Sequence, residues 1–384
     1  MNNYEIIEGL AKVKVATEIV PTKKMPVFYN PVMKKNRDLT ILLLKATNMK
    51  DMRLADPLAA SGIRALRLML ELGEERIEYM AINDGSESAV KAIKNNLELN
   101  SISTERVTLS CMDANDFLLQ SKGFDYIDID PFGTPNPFLD SAIKRLSRKG
   151  ILAVTATDTA PLCGTYPKPC RRKYWAEPLR CPVMHEIGIR ILIRKIQLVG
   201  MQYDKALTPI LSYADEHYLR VFLRCEKSKN GCDMIHDNHL FFHICKKCLK
   251  IRTSNKNTDE CCGAMQTAGP MWAGNLWNSE LLDGMLLEDN SREYREFLSL
   301  MKGESLVDVV GFYNLSSIVS RHKLGLVPKT DSVITELILR GFRAARSHFG
   351  GVRSDANIND VIEAIIRTQS NYGKKVHKND GASV

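Results

Sequence analysis

Phe124-Asp125-Tyr126-Ile127-Asp128-Ile129-Asp130-Pro131-Phe132-Gly133 decides how this chain folds. An apolar run with near-alternating acids reads as a buried strand, and it ends on Asp-Pro-Phe-Gly. Pro131 has no N–H to give a sheet ladder, so the strand must stop there. The same proline biases Asp130 toward an extended backbone, which carries its carboxylate past the strand tip. A carboxylate beside a flat ring suits a planar, amine-bearing substrate: the ring stacks on its face while the oxygen accepts its N–H groups. A plain strand-to-loop corner would use the same residues, so the neighbouring segments must decide.

Working outward, the pattern over 52–157 alternates strand and helix. Apolar runs predict strands over 53–56, 78–82, 107–111 and 150–155. Helical spacing predicts helices over 63–72 and 86–100, with others opening near Asn115 and Pro137. Strands separated by helices imply an α/β fold with a doubly wound, Rossmann-like parallel sheet. Such sheets take ligands outside the carboxyl ends of their strands, where strand order reverses. A long helix over 184–198 is followed by strand candidates at 209–213 and 217–225, only a few residues apart. A terminal hairpin is the arrangement of class I S-adenosylmethionine-dependent methyltransferases, whereas nicotinamide-binding domains end in parallel units.

The loop Asp56-Pro57-Leu58-Ala59-Ala60-Ser61-Gly62 joins the first strand of that sheet to its helix and carries one glycine. Gly-x-Gly-x-x-Gly is absent, so a pyrophosphate cradle is unsupported. Small residues still let backbone approach a ligand that has no phosphate. Asp84 follows the second strand, where an acid receives ribose hydroxyls, although Asp84-Gly85-Ser86 also reads as a helix-opening turn. Asp113 and Ala114 follow the third, at the position that contacts an adenine ring. Arg37, Arg64 and Arg67 are candidates to pair with the carboxylate of S-adenosylmethionine.

Composition sets the frame. The chain has 384 residues, 44% hydrophobic and 26% charged, which is ordinary for a globular protein. No apolar run approaches membrane-span length and no signal-peptide pattern opens the chain, so a cytoplasmic enzyme without a membrane role is expected. A net charge of +8 favours an anionic partner such as nucleic acid. Ten cysteines in such a chain argue against a disulfide framework. Composition shifts near residue 228, predicting a methyltransferase domain over 1–228 and a smaller α/β accessory domain over 229–384. Within the latter, 315–322 and 331–339 flank a Gly-Leu-Val-Pro turn as a helix-turn-helix, with 342–349 as a strand or wing.

Several segments together resemble the tRNA (guanine-26-N2)-dimethyltransferase family, archaeal type. They are Phe28-Tyr29-Asn30-Pro31-Val32-Met33, Asn36-Arg37-Asp38, Ala59-Ala60-Ser61-Gly62-Ile63-Arg64, Asp128 to Pro135, Thr155 to Gly164, Cys170-Arg171-Arg172-Lys173-Tyr174, Gly269-Pro270-Met271-Trp272 and Ser347-His348-Phe349. The resemblance implies dimethylation of the exocyclic N2 of a guanine in tRNA. It implies that Arg37, Arg67, Asp84, Asp113 and Ala114 bind S-adenosylmethionine, that Asp130 acts on the amine, and that Phe28 and Phe132 sandwich the base. A paired guanine cannot reach such a pocket, so the target nucleotide must leave its stack. The Asp-Pro-Phe chemistry alone leaves open another exocyclic-amine methyltransferase, and the cysteines leave open an inactive zinc-ribbon RNA-binding protein.

Cys245-Lys246-Lys247-Cys248 with Cys261-Cys262-Gly263 reads as half a zinc ribbon with an irregular second half. The family's pattern here is Cys-x-x-Cys-Gly, and Asp259 stands where its first cysteine would fall. Cys261 takes its place, or Cys232 or His243 completes the set, or the thiols stay unligated. Lys168, Arg171, Arg172 and Lys173 form either a basic cluster that grips tRNA phosphates or a solvated basic loop. Arg340, Arg343, Arg346 and His348 either extend that footprint or serve packing. No protein partner is implied.

Overall fold

The computed structural model describes residues 3–16 and 29–379. A hairpin of β1 (Asn3–Glu8) and β2 (Ala11–Ala16) comes first, then α1 (Lys34–Ala46). The alternating segment follows as β3 (Met52–Asp56), α2 (Ile63–Leu72), β4 (Ile77–Asn83), α3 (Glu87–Leu99), β5 (Val107–Ser110), α4 (Ala114–Gln120), β6 (Phe124–Ile129), α5 (Leu139–Arg145) and β7 (Leu146–Ala156). Helices α6 (Thr159–Leu162), α7 (Pro167–Tyr174) and α8 (Met184–Met201) lead to the hairpin β8 (Lys205–Asp215) and β9 (Tyr218–Lys227), then α9 (Lys229–Asp237).

Strands β3 to β9 form one seven-stranded sheet in the order β5-β4-β3-β6-β7-β9-β8, and β1 and β2 pair only with each other. Strands β3 to β7 run parallel, and β9 pairs antiparallel with both β7 and β8. The chain winds outward from β3 in one direction and returns to β6 in the other, so the order reverses between them. The carboxyl ends of β3 and β6 are therefore the ligand edge. Tyr126, Ile127, Ile129 and Leu152 are wholly buried, as expected of central strands covered on both faces. The predicted strands are all present; the β1–β2 hairpin and α1 were not read from the sequence.

Across one face of the sheet, Arg220 of β9 donates to Asp128 of β6 at 2.8 and 2.7 Å and to Thr155 Oγ1 at 2.9 Å. Arg220 and Asp128 are both fully buried. Burial alone would raise the Asp128 carboxyl; Arg220 and then Arg64 overcome it and hold it below the usual carboxylate range.

Two compact units result: Met1–Asp158, Ile196–Ile235 and Asp283–Asn290 in the first; Thr159–Lys195, His236–Leu282 and Ser291–Val384 in the second. The expected single cut after residue 228 differs from this interleaving, because 159–195 clusters with the C-terminal residues. After α9 the chain forms β10 (His239–Ile244), β11 (Ile251–Ser254) and β12 (Gln266–Trp272), a small antiparallel sheet in the order β11-β10-β12. Helices α10 (Ser279–Glu288) and α11 (Arg295–Ser305) precede α12 (Leu315–His322), α13 (Thr330–Leu339), the hairpin β13 (Ala344–Ser347) and β14 (Gly351–Ser354), and α14 (Ile358–Asn379). The helix pair and hairpin share a core of Leu315, Ile318, Val333, Leu337 and Val352, joined by Val361 of α14, the winged-helix-like arrangement the sequence predicts.

Removing Arg220 leaves the buried Asp128 with only part of its compensation. Arg220→Met is expected to lower the stability of the chain by about 3–5 kcal/mol, read as a lower urea midpoint. A midpoint equal to the parent's would show that the clamp carries no stability.

Candidate functional site

The ligand edge is organised by side chains that tie its loops together. Asn83, the last residue of β4, is fully buried. It donates to the carbonyls of Pro57 at 3.1 Å and Met112 at 3.0 Å and accepts from the Met112 N–H at 3.2 Å. One amide thus joins the loops after β3, β4 and β5. Asp84 accepts from the Ala60 N–H at 2.9 Å with one oxygen and from the Ser86 N–H at 2.9 Å with the other. It therefore latches the first loop as well as opening α3. Asp113 caps α4, accepting from the N–H groups of Asn115 at 2.8 Å and Asp116 at 3.4 Å, and Ala114 is buried in the first turn. In the first loop Ala60 and Gly62 hold positive φ angles of 50° and 77°. A Cβ on Gly62 would sit 3.1 Å from Ile93, so the tight turn needs glycine there.

At the end of β6, Arg64 bridges two acids. Its Nη1 lies 3.2 Å from Asp128 Oδ2 and its Nη2 pairs with Asp130 Oδ2. Asn36 Oδ1 accepts from the same guanidinium at 2.9 Å. This corrects the expectation that Arg64 is free to meet a cofactor carboxylate: it belongs to Asp130. The Asp130 side chain is 20% exposed, and its Oδ1 has no hydrogen-bond partner among the described residues. The following turn is held by Thr157, whose Oγ1 accepts from the Gly133 N–H at 2.7 Å and whose N–H donates to Gly133 O at 3.0 Å. Phe132, between them, is 47% exposed. Phe28 lies outside the described residues.

Arg37 and Arg67 converge on Glu8. Arg37 donates to it through Nε at 2.6 Å and Nη2 at 2.5 Å, and Arg67 through Nη1 at 2.9 Å. Arg67 also pairs with Asp38 and, at 2.7 Å, with Glu71. Burial pushes the Glu8 carboxyl up, but Arg37 and Arg67 outweigh it and bring it down to about 2. Arg37 Nη1 is left without a hydrogen-bond partner among the described residues. No spacing rule pointed to Glu8.

Asp56, at the tip of β3, is the least satisfied acid at this edge. Its Oδ2 is buried without a partner, as is Ser61 Oγ in the same loop. Burial pushes its carboxyl up to about 7, against Arg64 and with help from Asp128, Asp130 and Asp84. Orphaned polar atoms in a loop of small residues, with strand-end acids and no anion cradle, fit a ligand that is polar and phosphate-free. S-adenosylmethionine fits that donor set.

Sheet order, antiparallel terminal hairpin and strand-end acids define a class I S-adenosylmethionine-dependent methyltransferase. A family model described as N2,N2-dimethylguanosine tRNA methyltransferase matches residues 9–366. The tRNA (guanine(26)-N(2)/guanine(27)-N(2))-dimethyltransferase of Aquifex aeolicus is 39% identical, over 93% of this chain and 94% of its own. The tRNA (guanine(26)-N(2))-dimethyltransferase of Methanothermobacter thermautotrophicus is 38% identical, over 93% and 97%. The solved structure of Trm1 from Pyrococcus horikoshii with S-adenosyl-L-methionine superposes with a TM-score of 0.84 at 33% identity, covering 94% of this chain and 99% of that one. The chain belongs to the N2,N2-dimethylguanosine tRNA methyltransferase family.

In the second unit, the sulfurs of Cys245, Cys248, Cys261 and Cys262 all lie within 4.8 Å of one another. Cys248 and Cys261 are 3.6 Å apart, Cys261 and Cys262 3.9 Å. Four thiolates around a tetrahedral zinc with bonds of about 2.3 Å stand about 3.8 Å apart, so the set fits zinc and closes its coordination shell. Burial opposes ionisation of Cys245, but the backbone N–H groups of Cys248, Cys262 and Lys247 prevail and lower its thiol to about 6. His243 is excluded from the set: its ring nitrogens face Thr267 at 2.9 Å and Ser254 at 3.0 Å. Cys232 is in α9, outside the cluster, and Asp259 pairs with Arg252. A cleft of about 550 Å³ beside Cys245 is lined by Arg180, Lys246, Gln266 and Arg321 and by no carboxylate.

The basic residues divide. Lys168 and Arg172 are exposed, while Arg171 pairs with Glu177. Arg340, Arg343 and Arg346 are each matched by acids, respectively Asp360 with Glu363, Asp355, and Asp331. His348 is buried against Glu304. Of the two roles the sequence left open for this group, the matched acids and the burial of His348 favour packing.

Two outcomes follow. Metal analysis of the purified chain is expected to find one zinc per molecule, and Cys245→Ser to lose it with a lower Tm; a metal-free, equally stable parent would contradict the site. For Asp56, a raised value means that its contribution is complete below about 4 and lost as pH rises through about 7. The Tm of Asp56→Asn relative to the parent should therefore improve between pH 4 and pH 8. A constant difference would show that Asp56 does not titrate in the fold.

Proposed function

We propose that this chain dimethylates the exocyclic N2 of guanine 26 in tRNA, and that Asp130 is the group that meets the amine. The observation that carries the reading is the asymmetric state of Asp130: one oxygen clamped by Arg64, the other open, at the tip of β6 beside a half-exposed Phe132. S-adenosylmethionine, when bound, supplies an electrophilic methyl group. The guanine amine is a poor nucleophile, because its lone pair is delocalised into the ring. Asp130 Oδ1 accepts one of its N–H bonds, which raises electron density on nitrogen and gives the departing proton a destination. Arg64 fixes the carboxylate so that this oxygen faces the substrate without reorganisation.

Guanine N2 carries two protons, and each methylation consumes one. Asp130 must shed its proton between cycles, which its partial exposure allows. After the second transfer no N–H remains to bond Asp130, so the product loses that hold and the reaction ends at two methyls. Phe132 stacks on the extruded base, with Phe28 on its other face, repaying about 1–3 kcal/mol per stacked base. Asp84 receives the cofactor's ribose hydroxyls, Asp113 and Ala114 its adenine, and Arg37 Nη1 its carboxylate. Arg67 acts through Glu8, which both arginines share. No helix among the described residues is long and apolar enough to cross a membrane; a tRNA substrate supports a cytoplasmic location.

Asp130→Asn keeps the shape of the turn but removes the acceptor for the proton. Its kcat on unmodified tRNA is expected to fall about 10²–10⁴-fold, with S-adenosylmethionine binding by calorimetry retained. Nucleoside analysis giving parental levels of dimethylguanosine would remove Asp130 from the mechanism.

A further inference from the structure

Helix α7 ends on Trp175, which holds φ 55° and ψ 40°, the left-handed cap conformation that glycine usually takes. A bulky aromatic there is an outlier that needs a reason. Its ring does not go to the core: Trp175 is 53% exposed, whereas Trp272 and Trp277 are each 7% exposed. The backbone is fastened instead, with Trp175 N–H donating to Arg171 O at 3.2 Å and Arg194 Nη1 donating to Trp175 O at 3.3 Å.

What lies against the indole is positive charge. The Lys195 ammonium sits 3.0 Å from the ring centroid. Lys195 is only 6% exposed and pairs with no carboxylate among the described residues. Burial, reinforced by Arg194, brings its amine down to about 8. Arg194 Nε is likewise buried with no acceptor. Two adjacent cations thus lack an anion beside an aromatic surface open to solvent. Along the same helix Lys168 and Arg172 are exposed, and Tyr166 at its start is 60% exposed. An aromatic platform among unmatched cations is what a nucleotide needs: a π-face for its base and positive charge for its phosphate.

We infer that Trp175, Lys195 and Arg194 form a seat for one unpaired nucleotide of the tRNA other than the target guanine. The base stacks on the solvent side of the indole, and the neighbouring phosphate is taken by Lys195 and Arg194. The inference rests on tRNA being the substrate. It adds a site that neither the strand-end acids nor the cysteine cluster supplies.

The test uses the full chain and an unmodified tRNA transcript, with binding followed by tryptophan fluorescence and turnover by methyl incorporation. Parent emission should be quenched on titration, since Trp175 is the exposed indole of the three in the chain. Trp175→Leu should abolish the quench and raise the KM for tRNA about 5- to 150-fold, the range for one stacked base, the loss falling on KM rather than kcat. Trp175→Phe, which keeps a ring, should lose the quench but bind within about threefold of the parent. Lys195→Gln should flatten the dependence of log Kd on log salt by about one phosphate contact. Parental KM in Trp175→Leu together with a parental salt slope in Lys195→Gln would overturn the seat. If Trp175→Leu does not fold, a Trp175→Phe protein whose tRNA-induced quench equals the parent's would overturn it. A parent that neither binds nor methylates tRNA would overturn the functional reading itself, a result distinct from failure of the seat alone.

Discussion

The site depends on a buried cation shared between two carboxylates. Arg64, from the helix after the first strand of the sheet, holds Asp128 at 3.2 Å and also Asp130, and Arg220 secures Asp128 from the other side. Taking Arg64, Asp128 and Arg220 out of water is expensive unless each meets opposite charge, and here each does. The result is an acid fixed in orientation at a strand tip, with one oxygen already occupied. Electrostatic matching inside the sheet thereby becomes geometric control at its edge.

The same device recurs in the second unit with different residues. Arg353 bridges Glu186 at 2.5 Å and Glu304 at 3.0 Å, and Glu186 also accepts from Arg190 at 2.9 Å. Burial opposes the charge on Glu186, yet Arg353 and Arg190 bring its carboxyl down to about 2. These groups join α8, α11 and β14, elements far apart in the chain. The role here is to tie these elements together, since all four side chains are buried against one another. By contrast, Trp175, Lys195 and Arg194 are incompletely matched, and that difference separates a packing network from a binding surface.

Much of the first unit was legible in the sequence because its signals are local. Asp84, Asp113 and Asp130 each close an apolar run, so the strand pattern alone delivers them to one edge. Pro131 and Gly133 mark the turn for equally local reasons. The partners were not legible, because pairing in space leaves no periodicity. Glu8 meets Arg67 across 59 residues and Arg220 meets Asp128 across 92. Nothing in the sequence marked Asn83 as the residue that ties the loops after β3, β4 and β5 together. The arginines of 340–346 look basic in the sequence and are neutralised in the fold, because their acids lie on α13, α14 and the segment between β14 and α14.

Whether Asp130 meets the substrate amine is best seen directly, in a crystal structure of the chain with S-adenosylhomocysteine and an unmodified tRNA. The geometry described here predicts guanine N2 within about 3 Å of Asp130 Oδ1, with Arg64 still on Oδ2. A target guanine whose amine contacts another group, with the Asp130 carboxylate turned away from it, would contradict the account.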